Sequence, residues 1–188
     1  MKSSAAQSNK EDIQTWIALK DGSELALSTL LDKFFNVLKN YGYTFVPDEA
    51  FVKDCVQEVF IEIWKRRDRV SVPSSVKAYL LSCVRKKVQR EGFRQKILKE
   101  NNEAELENSI NHISLSHEWS IIEEENLTEI TSKVGKAMQK LPKRQYEVLH
   151  LQYYQNMSRE EIAEIMDINT QSVSNLLQVA FKSFRTNW

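Results

Sequence analysis

The chain has 188 residues, enough for one ordinary domain or two small ones, and 41% of them are hydrophobic. Its 26 basic and 26 acidic residues cancel, so no overall charge attracts the protein to nucleic acid or to a membrane surface. Only four glycines and three prolines occur, and no long alternating pattern typical of strands is visible, which predicts an all-α fold.

The N-terminus and the cysteines indicate a cytoplasmic protein. The opening residues, Met1–Lys10, are polar and do not form a hydrophobic signal segment. No run approaches the roughly 20 apolar residues that a membrane-spanning helix needs, so we expect no membrane insertion. Cys55 and Cys83 lack the spacing of a metal or redox motif, which favours core positions in a reducing compartment.

Apolar residues in the N-terminal half recur with helical spacing. They predict helices over Leu25–Leu38, Phe51–Trp64 and Val76–Phe93. Lys10–Leu19 is a candidate for a short preceding helix. A proline and several serines predict a loop over Ser71–Ser75, between the second and third helices.

Residues that disfavour a helix lie between these elements and near their ends. The segment Asn40–Pro47 is expected to separate the first two helices, and Asp48 can cap the second. Gly92 lies inside the third helix, where glycine costs about 1 kcal/mol relative to alanine. Gly92 is therefore a candidate for the end of that helix.

The neutral overall charge conceals a strong segregation along the chain. Between Lys65 and Arg94 there are ten basic and two acidic residues, whereas between Lys96 and Ile130 there are nine acidic residues and two lysines. The first block predicts a basic surface and the second an acidic linker. The expected organisation is a tail over residues 1–19, a domain over 20–95, the linker over 96–130 and a domain over 131–188.

The segment Ser158–Phe184 has the pattern of a helix-turn-helix. Ser158 and Glu161 form a capping box at the start of its first helix. The following turn needs one residue with a left-handed backbone, for which Asp167 is the candidate, and Asn169 or Thr170 can cap the second helix. Such a motif presents its second helix to a DNA major groove.

The charge of this segment predicts a weak DNA binder when it acts alone. From Leu141 to Arg185 there are five basic and five acidic residues, so little phosphate charge can be neutralised. The same residues would also suit a helical hairpin that only packs on another protein.

Catalytic chemistry has no visible basis in the sequence. His112, His117 and His150 lack the spacing of metal ligands. No glycine-rich phosphate loop and no nucleophile motif occurs. We therefore expect no enzyme activity, no metal or other cofactor and no small-molecule substrate.

Both halves resemble one family, the extracytoplasmic-function (group IV) sigma factors, which are small promoter-specificity subunits of bacterial RNA polymerase. The segment Asp54–Trp64, read DCVQEVFIEIW, resembles the family's most recognisable motif. Ala78–Leu81 followed by Arg85–Lys87 resembles the helix that faces the −10 promoter element. The pattern from Leu141 to Val173 resembles the domain that binds the −35 element. The resemblance covers residues 20–95 and 131–186 and implies two small helical domains with these roles.

The resemblance also implies three groups of site residues. The loop over residues 70–76 is expected to receive a flipped-out base of the −10 element. The group expected to bind core polymerase comprises Asp54, Gln57, Glu58 and Glu62. The group expected at the −10 element comprises Ser71, Ser74, Ser75, Lys77, Arg85, Lys86, Lys87, Arg90 and Arg94. The group expected at the −35 element comprises Arg144, Arg159, Gln171, Ser172, Ser174, Asn175, Gln178 and Lys182.

The resulting prediction is a transcription initiation factor that binds core RNA polymerase, directs promoter recognition and melts promoter DNA. The resemblance also implies an anti-sigma factor as a partner. Two alternatives remain. A stand-alone helix-turn-helix regulator would bind DNA without polymerase and would leave Asp54–Trp64 without a role. A helical protein-interaction module would not bind DNA at all.

Overall fold

The computed structural model describes residues 2–102 and 133–188. The chain divides into two compact units, Met1–Glu107 and Asn108–Trp188. Every regular element within the two described ranges is a helix, which confirms the all-α prediction. None of the helices in these ranges is both long enough and apolar enough to cross a membrane.

Within its described residues, the first unit contains four helices, three of which pack around the second. They are α1 (Lys2–Lys20), α2 (Glu24–Tyr43), α3 (Glu49–Lys65) and α4 (Val76–Asn102). Helices α1, α3 and α4 all contact α2, and α4 also contacts α1 and α3. The largest fully buried side chains of this unit are Trp16, Leu19, Leu30, Leu38, Tyr41, Val52, Leu80 and Leu81.

Helix α1 occupies the region expected to be an N-terminal tail. Trp16 and Leu19 are fully buried, and Lys33 of α2 forms an ion pair with the buried carboxylate of Asp12. The sequence suggested only a short helix here because the first ten residues carry no apolar stripe. The helix instead begins at Lys2. The other predicted domain limits stay predictions.

Helix α2 extends to Tyr43, four residues into the segment Asn40–Pro47 that was expected to separate the first two helices. The side chain of Tyr41 is fully buried, and Gly42 lies where α2 meets its neighbours. A Cβ atom on Gly42 would lie 2.7 Å from Cγ1 of Val52, so glycine allows the close approach of α2 and α3. Asp48 caps α3 as predicted, because its carboxylate accepts a hydrogen bond of 3.0 Å from the backbone N–H of Phe51.

Helix α4 runs past Gly92 to Asn102, so the prediction that Gly92 might end it is wrong. A cost of about 1 kcal/mol for one glycine does not stop a helix whose next residues are good helix formers. Gly92 instead faces Val46, whose Cγ2 would lie 3.3 Å from an added Cβ. The helix therefore includes residues 96–102 of the predicted acidic linker. Residues 103–130 of that linker lie outside the described residues.

The second unit is built from short helices around α8. Helical residues 133–139 (α5) are followed by α6 (Lys143–Leu149), which continues into a π-helical turn over His150–Tyr154. Helices α7 (Arg159–Met166) and α8 (Thr170–Asn187) complete the unit, and α8 packs against α6 and α7. Its buried apolar side chains include Ala137, Leu141, Val148, Leu149, Leu151, Ile162, Ile165, Met166, Val173, Leu177 and Ala180.

Candidate nucleic-acid and protein interfaces

One side of α3 carries an exposed polar stripe. The predicted polymerase-binding residues Asp54, Gln57, Glu58 and Glu62 are all exposed and share this side, because residues three and four apart are neighbours on a helix. The opposite side is buried in the unit. Ile61 lies beside Gln57 and Glu58 and is 50% exposed, a residue that the sequence analysis did not single out. Ile61 does not share the helical spacing of the buried apolar residues of α3, and this difference in the sequence could have identified it as exposed.

Lys87 lies against this stripe and is not part of an exposed basic surface. Its side chain is 8% exposed, and its Nζ atom lies 2.9 Å from Oε1 of Glu62 and also contacts the carboxylate of Glu58. Burial alone would lower the pKa of Lys87, but the hydrogen bonds to the two glutamates raise it. The bond to Lys87 also lowers the pKa of Glu62.

The position of Lys87 differs from the −10 contact expected for it. It directly precedes the buried Val88 and comes three residues after the buried Val84, so it points toward α3. A lysine this deeply buried needs a charged partner, and the acidic stripe supplies two. Lys87 thus connects α4 to the stripe and does not project toward solvent.

The loop between α3 and α4 exposes part of the predicted −10 group. Ser71, Val72 and Ser74 are exposed. Ser75 is buried, and its hydroxyl accepts a hydrogen bond of 3.3 Å from the backbone N–H of Ala78. Ser75 therefore serves as a cap for α4, and a side chain held in this way is not presented to DNA.

Helix α1 contacts the backbone of this loop. The indole Nε1 of Trp16 donates a hydrogen bond of 3.2 Å to the carbonyl oxygen of Ser71. The Nδ2 atom of Asn9 donates one of 2.8 Å to the carbonyl oxygen of Ser74. Two backbone groups of the loop are thus held by a helix that lies outside the predicted −10 group.

Three basic residues of α4 form an exposed stripe along the middle of the helix. Lys86, Arg90 and Arg94 are exposed and each four residues apart, whereas Lys77 and Arg85 are half-buried. Arg90 and Arg94 both contact Glu91, at 3.1 and 3.4 Å. Of the six basic residues predicted at the −10 element, the structure therefore brings three together on one exposed side of α4.

The aromatic side chain of Phe93 is available for base stacking, whereas those of Tyr79 and Trp64 are partly covered. It is 66% exposed and adjoins the basic stripe. Tyr79 is half-buried and packs edge-on against Trp16 at 5.2 Å between ring centroids, and burial raises its pKa to about 12. Trp64 is covered by the guanidinium of Arg67, 4.4 Å from the ring centroid.

The helix-turn-helix has the local geometry predicted for it. Ser158 and Glu161 form both bonds of the capping box, at 3.2 and 2.9 Å. Asp167 has a left-handed backbone with φ 55° and ψ 53°, and Asn169 caps α8 by accepting a bond of 2.7 Å from the N–H of Ser172. Ala163 is buried, as expected where the helices touch.

The exposed face of α8 is a stripe of amide side chains ending in a lysine. Gln171, Asn175, Gln178 and Lys182 are exposed and three or four residues apart, and Gln171 donates a hydrogen bond of 3.0 Å to Asn175. Ser172 is half-buried. Ser174 is also half-buried and its hydroxyl donates to the carbonyl oxygen of Thr170 at 3.1 Å. Of the other two residues predicted at the −35 element, Arg144 and Arg159 are exposed near the starts of α6 and α7.

An aromatic patch lies on the second unit and was not predicted. Phe181 is one of the apolar residues spaced along α8, yet it is 39% exposed and contacts Tyr153 edge-on at 5.6 Å. The buried line of α8 runs instead through Val173, Leu177 and Ala180. The spacing of apolar residues along α8 did not distinguish the buried side of the helix from the side that carries Phe181.

The histidines do not form a metal site in the part of the chain that the structure describes. That part contains no group of three or more histidine, cysteine or acidic side chains able to hold a metal ion. His150 is buried between the rings of Tyr146 and Tyr154, and its Nε2 atom lies 3.2 Å from Nε2 of Gln155. His112 and His117 lie outside the described residues.

The chain matches two family models in the order expected. Sigma-70 region 2 matches residues 30–96, and Sigma-70, region 4 matches residues 132–183. The first match contains the acidic stripe, the loop and most of α4, and the second contains the helix-turn-helix. No curated protein gives a significant match to the sequence.

Solved structures share the fold at low sequence identity. One shows CnrH in complex with the cytosolic domain of CnrY, with 19% identity and a TM-score of 0.62 over 93% of this chain and 95% of that chain. Another shows the sigma factor RpoE in complex with the anti-sigma factor NepR from Bartonella quintana, with 16% identity and a TM-score of 0.60 over 85% and 94% of the two chains. Since the two family matches together cover more than half of the sequence, the chain belongs to the sigma-70 family and is a transcription initiation factor.

Proposed function

We propose that this sigma factor binds core RNA polymerase through the acidic stripe of α3, and contacts the two promoter elements through separate units. The observation that carries the proposal is that Asp54, Gln57, Glu58 and Glu62 are all exposed on one side of α3. A polar side-chain set with the exposed Ile61 beside it suits a protein partner, because interfaces combine apolar contacts with a polar rim.

The charge of the stripe favours a basic surface on polymerase. Three of its four residues are acidic, and Lys87 contacts only two of them from the side of α4. Glu58 and Glu62 stay about half exposed despite that contact, with side-chain exposures of 56% and 47%. Both carboxylates thus retain surface on which a basic partner helix can dock.

The first unit is assigned to the −10 element. Unstacking a base costs a few kcal/mol, and a loop that binds the base supplies both melting and selectivity. The loop between α3 and α4 offers exposed Ser71, Val72 and Ser74 for this purpose. Lys86, Arg90 and Arg94 follow the strand phosphates, and the exposed Phe93 stacks a base.

The second unit is assigned to the −35 element. Glutamine and asparagine read adenine through paired hydrogen bonds in the major groove, and α8 presents Gln171, Asn175 and Gln178 as one stripe. The balanced charge of Leu141–Arg185 is sufficient, because attachment to polymerase raises the effective concentration of this unit at the promoter.

We also propose a regulatory partner of the anti-sigma class and a cytoplasmic location. Support comes from the RpoE structure of similar fold, whose partner NepR is an anti-sigma factor. The cytoplasmic location follows from the proposed partner, since core polymerase acts there. No catalytic role is assigned to the chain itself.

The test is run-off transcription with purified core polymerase and a panel of candidate promoters. Gln57→Ala should weaken polymerase binding and leave the base preference at −35 unchanged. Gln178→Ala should do the reverse and lose roughly 1–3 kcal/mol of discrimination at −35. Asn36→Ala, an exposed change on α2, is the control for both measurements.

Footprinting and DNA binding without polymerase separate the alternatives. A stand-alone regulator would protect promoter DNA from cleavage without polymerase, and a protein-interaction module would show no salt-dependent DNA binding. The absence of a promoter-specific transcript on every promoter tried would contradict the proposal.

A further inference from the structure

We propose that helix α1 positions the −10 loop and thereby sets its selectivity, with Trp16 and Asn9 as positioning residues. The inference rests on the proposed function of the loop between α3 and α4. It concerns residues outside both the acidic stripe and the group predicted at the −10 element.

The two hydrogen bonds from α1 reach the loop on its backbone side. Trp16 donates to the carbonyl oxygen of Ser71 and Asn9 donates to the carbonyl oxygen of Ser74. Trp16 and Asn9 are seven residues apart, so they lie two turns apart on the same side of α1. Helix α1 therefore contacts the loop at two points.

The loop side chains remain exposed while these carbonyl groups are held. Ser71, Val72 and Ser74 are all exposed, and Val72 is 44% exposed although it is apolar. The side chains that would meet a base are thus free of the contacts that fix the backbone. This separation is what a preformed binding loop requires, because ordering the loop before binding lowers the entropy cost of binding.

Helix α1 is itself firmly attached, so it can act as a fixed support. Asp12 is buried and forms an ion pair with Lys33 of α2, and Lys33 also donates to the hydroxyl of Ser8 at 3.2 Å. The ring of Trp16 is fully buried and packs against Tyr79 of α4. Because α1 contacts α2, α4 and the loop, it fixes the position of the loop relative to both helices.

The test measures base selectivity in the holoenzyme assembled from the full-length chain and core polymerase. The probes are fork-junction DNAs whose single-stranded −10 region carries each of the four bases at each position in turn. Trp16→Phe removes the indole donor and Asn9→Ala removes the amide donor. Each variant should lower the affinity ratio between the preferred base and the others about 2- to 10-fold, which is the usual effect of one hydrogen bond.

Two controls distinguish positioning from a general loss of stability. Gln7→Ala changes another exposed polar residue of α1, and Leu38→Val lowers the stability of the first unit at a buried position of α2. Both should keep the wild-type ratio. Affinity for core polymerase should also be unchanged in Trp16→Phe and Asn9→Ala.

Hydrogen exchange supplies a readout on the free protein. The peptide that covers residues 70–75 should exchange faster in Trp16→Phe and Asn9→Ala than in the wild type, and the peptide that covers α8 should not change. Wild-type base ratios in both variants would overturn the inference and leave the proposed function intact. A wild-type holoenzyme with no base preference anywhere in the −10 region would overturn the proposed function together with the inference.

Discussion

The two units position their polar faces by different means. In the first unit, the acidic stripe and the loop are held by contacts between helices, such as Lys87 with Glu62 and Trp16 with Ser71. In the second unit, the face of α8 is oriented by bonds within a few residues, such as the cap at Asn169. The comparison indicates that changes in the first unit act at a distance, whereas changes in the second act locally.

The largest expected effect tests the close packing of the first unit. Gly42→Ala should lower the free energy of unfolding of this unit by about 1–2 kcal/mol, because overpacking outweighs the gain in helix propensity. The added Cβ would lie 2.7 Å from Cγ1 of Val52. Hydrogen exchange of peptides from α2, α3 and α4 in the full chain measures the change.

The control for this change is a second substitution at the contact. Gly42→Ala combined with Val52→Ala should be more stable than the sum of the two single effects predicts, because the second change removes the clashing methyl group. If the two effects on stability simply add, the cost of Gly42→Ala does not come from a clash with Val52.

The next effect concerns the ion pair between α4 and α3. Lys87→Met should destabilise the first unit by about 1 kcal/mol, less than for a fully buried pair because Glu58 and Glu62 are half-exposed. Urea-dependent hydrogen exchange of α3 and α4 measures it. The matched control Lys86→Met removes an exposed lysine from the same helix and should change stability by less than about 0.5 kcal/mol. Equal effects of the two substitutions would show that the ion pairs of Lys87 do not stabilise the packing of α4 against α3.

A local effect is expected in the second unit. Asn169→Ala removes the cap of α8 and should cost about 1 kcal/mol, measured by exchange of α7 and α8 peptides. Asn169→Asp keeps an acceptor at the cap and should retain most of the stability. If Asn169→Ala also speeded exchange in α3 or α4, the contrast between local and distant effects would not hold.

The smallest effect is a pH dependence confined to the first unit. The pKa of Glu62 is lowered, so the unfolded chain binds more protons, and this stabilisation is present above about pH 4.5 and lost as pH falls through the folded-state pKa. The pKa of Lys87 is raised, so its contribution is full below about pH 10.5 and lost only as pH rises through the folded-state pKa. Glu62→Gln should flatten the loss of stability of α3 and α4 as pH falls below about 4.5, by a small amount because the carboxylate is half-exposed. An unchanged pH profile would show that the contact with Lys87 contributes nothing measurable.

Features that depend on a few neighbouring residues were predictable. The cap at Asp48, the capping box at Ser158 and the left-handed Asp167 each follow from residue types at fixed offsets, and each has the expected geometry. The exposure of the polar side of α3 also followed, because periodicity alone separates a polar side from an apolar one.

Features that depend on which helices meet were not predictable. Whether Lys87 faces solvent or α3, and whether Phe181 is buried or exposed, is decided by the neighbour that each helix face receives. The extension of α2 through Gly42 and the attachment of α1 to the loop have the same origin, since local propensity is weak and packing overrides it.

The sequence by itself determined the helical class, the helix-turn-helix, the acidic stripe and the family, because short patterns carry each of them. The tertiary structure alone decided that Lys87 contacts the acidic stripe and that α1 holds the loop. These contacts join residues from separate helices or fix them in a packed core. Their formation depends on the three-dimensional packing of the unit and leaves no periodic signal in the chain.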